Sequence, residues 1–362
     1  MILNVRLLKM KLNDNSENFF KWIFRRNDKL NSVVFLFLSR INANNARFSP
    51  LFQSTQKIRI IYFPGLPIKY TDQILSRIFT NLQKLLYSKI ARYQSIHFFG
   101  TDLGFHNQIQ ILHIDDPVYS LEGENNLRFW EENNLANRRI SKIITTNTYT
   151  ANWLKQNTKS SEIIIIEQGF HDFDLDQKKQ NNNFICGYSS PYIYYGKDEK
   201  STKSPFNADV LIDEIIPGLF IQDPSIEIYL IGKLGRHAKK ALRKYPNVVK
   251  FGRVDFMQNI HILAMCDIGI YPRKIDHKRS VLKIFTYLGA NLPIVTFDLI
   301  DTEIVKCQKL GLVSSTSSQF IENILMLKRS SKMLKDFRNE INLSREVYSW
   351  KSLAQKMELL IK

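Results

Sequence analysis

The densest run of chemically useful side chains lies between Cys266 and Asp298, CDIGIYPRKIDHKRSVLKIFTYLGANLPIVTFD. It reads as a short strand, a basic loop with Arg273, Lys274, His277, Lys278 and Arg279, a helix opening near Ser280, a turn at Pro293 and a second strand. The first N–H groups of a helix lack intrahelical partners and carry partial positive charge, so cations beside them make a seat for phosphate or pyrophosphate. Lys283 stands one turn into the helix, where its point-charge ammonium reaches the same anion. The alternative for these residues is a basic loop facing water.

Three further groups invite chemistry. The stretch 109–117 is a strand pattern ending in His113, Asp115, Asp116 and Pro117, one imidazole and two carboxylates at a strand's carboxyl end. Such a set can hydrogen-bond a reacting group with a charge that responds to its neighbours. Two other readings stand beside it: an aspartate caps a helix with His113 in the core, or His113 and Asp115 hold a metal for which the sequence offers no third ligand. Gly187-Tyr188-Ser189 closes another strand and is followed by Lys197, Lys200 and Lys203, placed to meet phosphate or solvent. In Ile231-Gly232-Lys233-Leu234-Gly235 a Gly-rich turn follows a strand, either a simple turn or a place where backbone approaches a nucleotide base.

These positions need strands that end together and helices that begin there. From residue 33, apolar runs alternate with helical stretches: Val33–Leu38, Ile58–Phe63, Ile96–Phe99, Ile109–Ile114, Ile143–Thr146 and Ile163–Ile166. Short continuous apolar runs joined by crossover-length segments imply a parallel sheet covered on both faces. Thr71–Tyr93 has helical spacing, with Ile74, Ile78, Leu82, Leu85 and Ile90 on one face. The polar stretch Gln177–Asn183 reads as a linker. Beyond it the alternation restarts, with strands at Phe184–Tyr188, Ile226–Ile231, Val248–Phe251, Ile268–Tyr271 and Ile294–Phe297. Helices are expected at Asn207–Phe220, His237–Lys244, Ile260–Met265, Val281–Leu288 and throughout Phe320–Lys362. The expectation is an α/β protein with two Rossmann-like doubly wound domains facing across a cleft. Residues 1–180 form the first, 181–340 the second, and 341–362 a helix crossing back to the first.

The 362 residues carry 51 Lys and Arg against 34 Asp and Glu, a net charge of +17. No basic block or tail of the nucleic-acid type occurs, so the surplus is expected to face a phosphate-bearing small molecule or an anionic leaflet. Lys21, Arg25 and Arg26, interleaved with Phe19, Phe20, Trp22 and Phe24, form the better membrane candidate; the basic face of Thr71–Tyr93 either joins it or packs on the sheet. No apolar run reaches a membrane span of ~18 residues. The three cysteines are far apart and give neither a disulfide framework nor a CxxC site; with no secretory pattern at the N-terminus, a cytoplasmic setting is expected, peripheral to the membrane's inner face.

The segment Lys283-Ile284-Phe285-Thr286-Tyr287-Leu288-Gly289-Ala290-Asn291-Leu292-Pro293-Ile294-Val295 resembles the K-I-x-E-Y-L-A-x-G-x-P-(I/V)-V pattern of retaining nucleotide-sugar glycosyltransferases of GT-B architecture, the large family that includes bacterial mannosyltransferases and sucrose-phosphate synthases. Ile143–Phe170, Asn247–Asp267 and Tyr348-Ser349-Trp350 look like further family segments, so the resemblance spans roughly residues 105–362. It implies transfer of a hexose from a nucleoside-diphosphate sugar to a glycan or lipid-linked acceptor, with no obligatory metal and no other cofactor. It also implies donor binding by Arg273, Lys278, Arg279, Ser280, Lys283, Thr286, Lys203, Gly187, Ser189 and Gly232, and a sugar-contacting role for His113, with Asp115 and Asp116 beside it. The family's paired glutamates fall on Lys278 and Thr286. Thr286 offers the donor ribose one hydroxyl in place of an ionised acceptor, so donor recognition is altered or activity is lost, leaving a silent GT-B-fold binding protein in a glycan-assembly complex as the alternative.

Overall fold

The structure is a computed structural model that describes residues 141–158, 162–170, 183–198, 207–275 and 281–360, with the backbone of five further strands nearer the N-terminus. The chain divides into two compact units, Met1–Glu167 with Trp350–Lys362, and Gln168–Ser349. The Phe19–Arg26 cluster, the Thr71–Tyr93 helix and residues 177–182 of the polar linker lie outside the described residues.

Among the described residues the first unit shows seven strands: β1 (Ser16–Asn18), β2 (Val33–Phe37), β3 (Arg59–Phe63), β4 (Ile96–Phe99), β5 (Ile111–His113), β6 (Lys142–Thr145) and β7 (Glu162–Ile165). They lie side by side in the order β1-β3-β2-β4-β5-β6-β7, and every pairing is parallel. Six of them are the apolar runs of the sequence; β1 is three residues of a polar stretch and has no hydrophobic signature. Ile143 and Ile144 on β6 are wholly buried, as a parallel sheet covered on both faces requires. Helix α1 (Thr148–Asn157) starts at Asn147, whose side chain accepts from the Thr150 N–H at 2.7 Å. The unit's last helix is Trp350–Leu360, with Trp350, Leu353, Ala354 and Met357 buried at helical spacing. It is tied to β6 by Lys142 Nζ, which donates to the Leu360 carbonyl at 3.0 Å.

The second unit contains β8 (Ile185–Ile193), β9 (Glu227–Leu234), β10 (Val248–Gly252), β11 (Ile268–Tyr271), β12 (Ile294–Phe297) and β13 (Gly311–Ser314). They form a parallel sheet in the order β10-β9-β8-β11-β12-β13. Numbered within the unit this is 3-2-1-4-5-6, the Rossmann order, whose direction reverses between β8 and β11. The helices are α2 (Ile216–Gln222), α3 (Arg236–Ala241), α4 (Phe256–Ala264), α5 (Leu282–Gly289), α6 (Glu303–Cys307), α7 (Ser317–Arg329) and α8 (Ser331–Tyr348), so that Trp350–Leu360 is α9. One core cluster gathers Ile228, Leu230, Ile268, Ile270 and Val295 with Leu211, Ile215, Leu219, Phe320 and Ile324 from the helices. Another gathers Leu263, Ile284, Tyr287, Leu288 and Ile294.

Three local features depart from the sequence expectation. Strand β8 runs past Pro191 to Ile193 because the proline is exposed at a register shift between Ser189 and Tyr192, where no ladder donor is needed. The helix expected from Asn207 contains a π-helical turn, Leu211–Ile215, before α2. Strand β13 is only four residues, begins with glycine and carries too little pattern to read. Helix α5 ends as the motif predicts: Leu292 N–H donates to the Tyr287 carbonyl at 3.0 Å, and Asn291 takes the left-handed conformation, φ 56°, where the family pattern has glycine.

Candidate functional site

Open α/β sheets bind ligands at the carboxyl ends of the strands flanking their switch point. In the second unit, β8 and β11 pair only at Cys186↔Ile268 and Gly187↔Gly269. Past these pairs the Tyr287 hydroxyl from α5 bridges the strands, donating to the Ile270 carbonyl at 2.9 Å and accepting from the Ser189 N–H at 3.3 Å. The phenol is wholly buried, and burial pushes its pKa well up, so it stays a neutral donor. Its ring fits because residue 269 is glycine: a Cβ there would lie 2.6 Å from the ring. A Cβ on Gly187 would lie 2.9 Å from Cys266 Sγ and from Leu263 Cδ2, so that glycine lets α4 close onto β8.

Where the strands part, a small cavity opens. Tyr188, on β8 just past its last pair with β11, and Tyr271, Pro272 and Arg273, at the end of β11, form one side; Asn207, Ala208 and Leu211 form another, and Lys283 of α5 completes it. Lys283 Nζ lies 4.9 Å from the Tyr188 ring centre and 5.5 Å from that of Tyr271. Among the described residues it has no carboxylate partner. Its amine is driven down to about 7 by burial first and by the neighbouring Arg273 charge second. The two ring faces attract the ammonium and offset only part of that cost. Burial, with Tyr271 second, pushes the Tyr188 phenol up. The cavity has room for little more than one water-sized group, and the Arg273 charge beside the Lys283 amine favours an anionic one, which would return Lys283 to its charged form.

Arg273 and Lys283 are therefore brought together, and the other expected residues are placed around or away from them. Ser189 follows Tyr188 on β8, its hydroxyl donating to Asn259 Oδ1 at 2.8 Å. Thr286 lies on α5, its hydroxyl donating to the Leu282 carbonyl at 3.1 Å and keeping its lone pairs. Gly232 has φ 146°, and a Cβ there would meet the Ser190 carbonyl oxygen at 1.8 Å, so strand β8 itself demands that glycine. The amides after the Gly-rich turn are engaged within the chain: His237 and Ala238 N–H donate to the Asp198 carboxylate at 2.7 and 2.8 Å. Partial burial works against that charge, but these bonds and one from Tyr195 N–H outweigh it and hold Asp198 below the usual carboxylate range. The basic run also divides: Lys274, next to Arg273, turns to Glu214, with Nζ 2.7 and 2.9 Å from the two carboxylate oxygens.

His113 is the last residue of β5, at the carboxyl edge of the first unit's sheet, between Phe99 and Ile144 on the neighbouring strands; only its backbone is described. Asp115, Asp116, Lys203, Lys278, Arg279 and Ser280 lie outside the described residues. Tyr188, Tyr271, Asn207 and Leu211 also line the cavity and are not among the residues expected from the sequence. The signal for the two tyrosines is that both end apolar runs flanking the expected switch point. Among the described residues no cluster of His, Cys, Asp or Glu could hold a metal ion, and no helix is long and apolar enough to cross a membrane.

No protein-family model matches the chain, and no curated protein matches it by sequence. Solved structures do match it by fold. Anabaena HepE in complex with UDP aligns with TM-score 0.64 and 14% identity over 91% of this chain and 99% of its own. WaaG, a glycosyltransferase involved in lipopolysaccharide biosynthesis, aligns with TM-score 0.60 and 11% identity over 91% and 99%. The pneumococcal O-GlcNAc transferase GtfA, in complex with UDP and GlcNAc, aligns with TM-score 0.57 and 15% identity over 80% and 59%. Agreement over nearly the whole length of the first two, with two parallel-sheet units and a Rossmann strand order in the second, establishes that the chain has the GT-B fold.

Proposed function

We propose that the protein is a glycosyltransferase that moves a hexose from a nucleoside-diphosphate sugar to a glycan or lipid-linked acceptor in cell-surface glycan synthesis. The observation that carries this reading is the cationic cavity of Arg273 and Lys283 at the β8/β11 switch point, on a fold that in HepE holds UDP and UDP-glucose. Breaking the bond between the anomeric carbon and the diphosphate leaves negative charge on the leaving oxygen. Arg273 and Lys283, with Arg279 and Ser280 as assigned from the sequence, would stabilise that charge without an obligatory metal. Lys278 and Lys203 are the remaining cations assigned to the donor, Gly187, Ser189 and Gly232 its backbone neighbours, and Thr286 the single hydroxyl for its ribose. His113, with Asp115 and Asp116, is assigned to the sugar. The resemblance of the Lys283–Val295 segment to retaining enzymes supports retention at the anomeric carbon. The +17 charge supports work at the cytoplasmic face of an anionic membrane and argues for a peripheral attachment.

A second reading, a donor-binding protein without turnover inside a glycan-assembly complex, is favoured by Thr286, which cannot act as an ionised acceptor. One experiment separates the two. A thermal-shift panel of UDP, GDP, ADP and CMP with their sugar conjugates names the donor, since a ligand specific for the folded state raises its melting point. Nucleotide release from the winning conjugate in the presence of membrane extract then reports transfer. Transfer supports the enzyme, binding without release supports the silent protein, and stabilisation by none of the panel refutes both.

A further inference from the structure

The basic run Arg273-Lys274 sends adjacent cations to different places. Arg273 lines the cavity with Lys283, whereas Lys274 holds both carboxylate oxygens of Glu214 at 2.7 and 2.9 Å and lies 5.6 Å from the centre of the Phe297 ring. Ser317, the first residue of α7, also donates its hydroxyl to Glu214. The Lys274 and Ser317 hydrogen bonds hold the Glu214 carboxyl below the usual range, so the pair stays ionised at neutral pH. Glu214 belongs to the π-helical turn Leu211–Ile215, and Leu211 at the start of that turn walls the same cavity. One turn thus supplies both a cavity wall and the anchor of the segment bearing Arg273.

We propose that the Glu214–Lys274 pair is a positioning clamp that holds the Pro272–Arg273 segment against the π-helical turn and so sets the shape and charge of the anion cavity. This inference rests on the donor-binding role proposed above and adds to it residues that do not touch the ligand. The pair is about two-fifths exposed on each side, and exposed pairs are weak, so its effect falls on placement and not on folding.

The test uses the full chain with four variants: Glu214→Gln, Lys274→Met, Lys274→Arg, and the charge swap Glu214→Lys with Lys274→Glu. Two quantities are read. The first is the dissociation constant for UDP-glucose by calorimetry. The second needs no ligand: the pH midpoint of Lys283 acylation, followed by peptide mass spectrometry, reports how closely Tyr188, Tyr271 and Arg273 enclose that amine. The expected result is affinity weakened about three- to fivefold in Glu214→Gln and Lys274→Met, within the range of exposed ion pairs, with an unchanged melting point. The Lys283 midpoint should rise by about half a pH unit or more as enclosure loosens. Both quantities should recover in Lys274→Arg and in the charge swap. Wild-type affinity and an unmoved midpoint in the two single variants would overturn the clamp. If the wild-type chain binds no UDP-glucose, the donor reading loses its support, and the acylation midpoint still decides the clamp. A lowered melting point that tracks every affinity loss, with no recovery in the swap, would show a merely structural role and also overturn it.

Discussion

Donor binding should depend on pH through one amine. In the free protein Lys283 titrates at about 7, and an anion in the cavity favours its charged form, so binding returns its pKa toward the ordinary lysine value of ~10.4. Below pH 7 the amine is already charged and affinity is flat. Above it, binding must take up a proton, at up to about 1.4 kcal/mol per pH unit. Between pH 6 and pH 8 the dissociation constant for UDP-glucose should therefore rise about tenfold, with uptake of roughly 0.9 proton at pH 8 and roughly 0.1 at pH 6. UDP-glucose is the right probe because its diphosphate is a diester and lacks the phosphate proton that leaves near pH 6. Calorimetry in two buffers of different ionisation enthalpy measures affinity and proton count together, and Lys283→Met should bind weakly with a flat profile. A wild-type affinity independent of pH over this range, or the same slope in Lys283→Met, would refute the reasoning.

Four further outcomes rest on named residues. Because the unfolded chain holds a proton on Lys283 up to pH ~10.4 and the folded one only to about 7, stability rises with pH above 7. Lys283→Met should remove that slope and raise stability at pH 6–7 by about 2 kcal/mol in urea melts, a figure discounted for the lysine's part exposure. Tyr287→Phe strands the Ile270 carbonyl and the Ser189 N–H at the switch point and should cost about 1–3 kcal/mol, whereas Asn291→Gly, replacing a residue at φ 56°, should cost nothing and Asn291→Ala about 1 kcal/mol; chemical denaturation checks all three. His113→Ala should lower turnover about tenfold or more while UDP binding survives, as expected of a contact made mainly in the transition state; an unfolded or fully active variant points to a core histidine.

Much of this architecture was legible because buried parallel strands have few ways to be written. The runs Ile96–Phe99, Ile268–Tyr271 and Ile294–Phe297 coincide with β4, β11 and β12, and every residue of β11 and β12 is buried, as strands covered on both faces require. The expectation failed where packing, not pattern, decides. Pro191 should have ended β8, but an exposed bulge spares its missing N–H. Nothing in LIDEI announces a π turn, because an extra residue in a helix is chosen by what the flanking segments must reach. Within the site, the basic loop was visible as charge, but its division was not. Lys274 finds Glu214 sixty residues earlier, a partner of which sequence proximity carries no trace, whereas Arg273 lies beside Lys283 as the spacing of the basic loop and helix implies. Gly232 illustrates the converse: its conformation is demanded by the Ser190 carbonyl, a requirement a Gly-rich turn hides.

The central claim is that a donor diphosphate rests at the β8/β11 switch point on Arg273 and Lys283, and a crystal structure of the full chain with UDP tests it most directly. The diphosphate oxygens are expected within hydrogen-bond distance, roughly 2.7–3.2 Å, of Lys283 Nζ and the Arg273 guanidinium, with the Glu214–Lys274 pair intact behind them. A nucleotide bound elsewhere in the chain, or a diphosphate that touches neither cation, would contradict it.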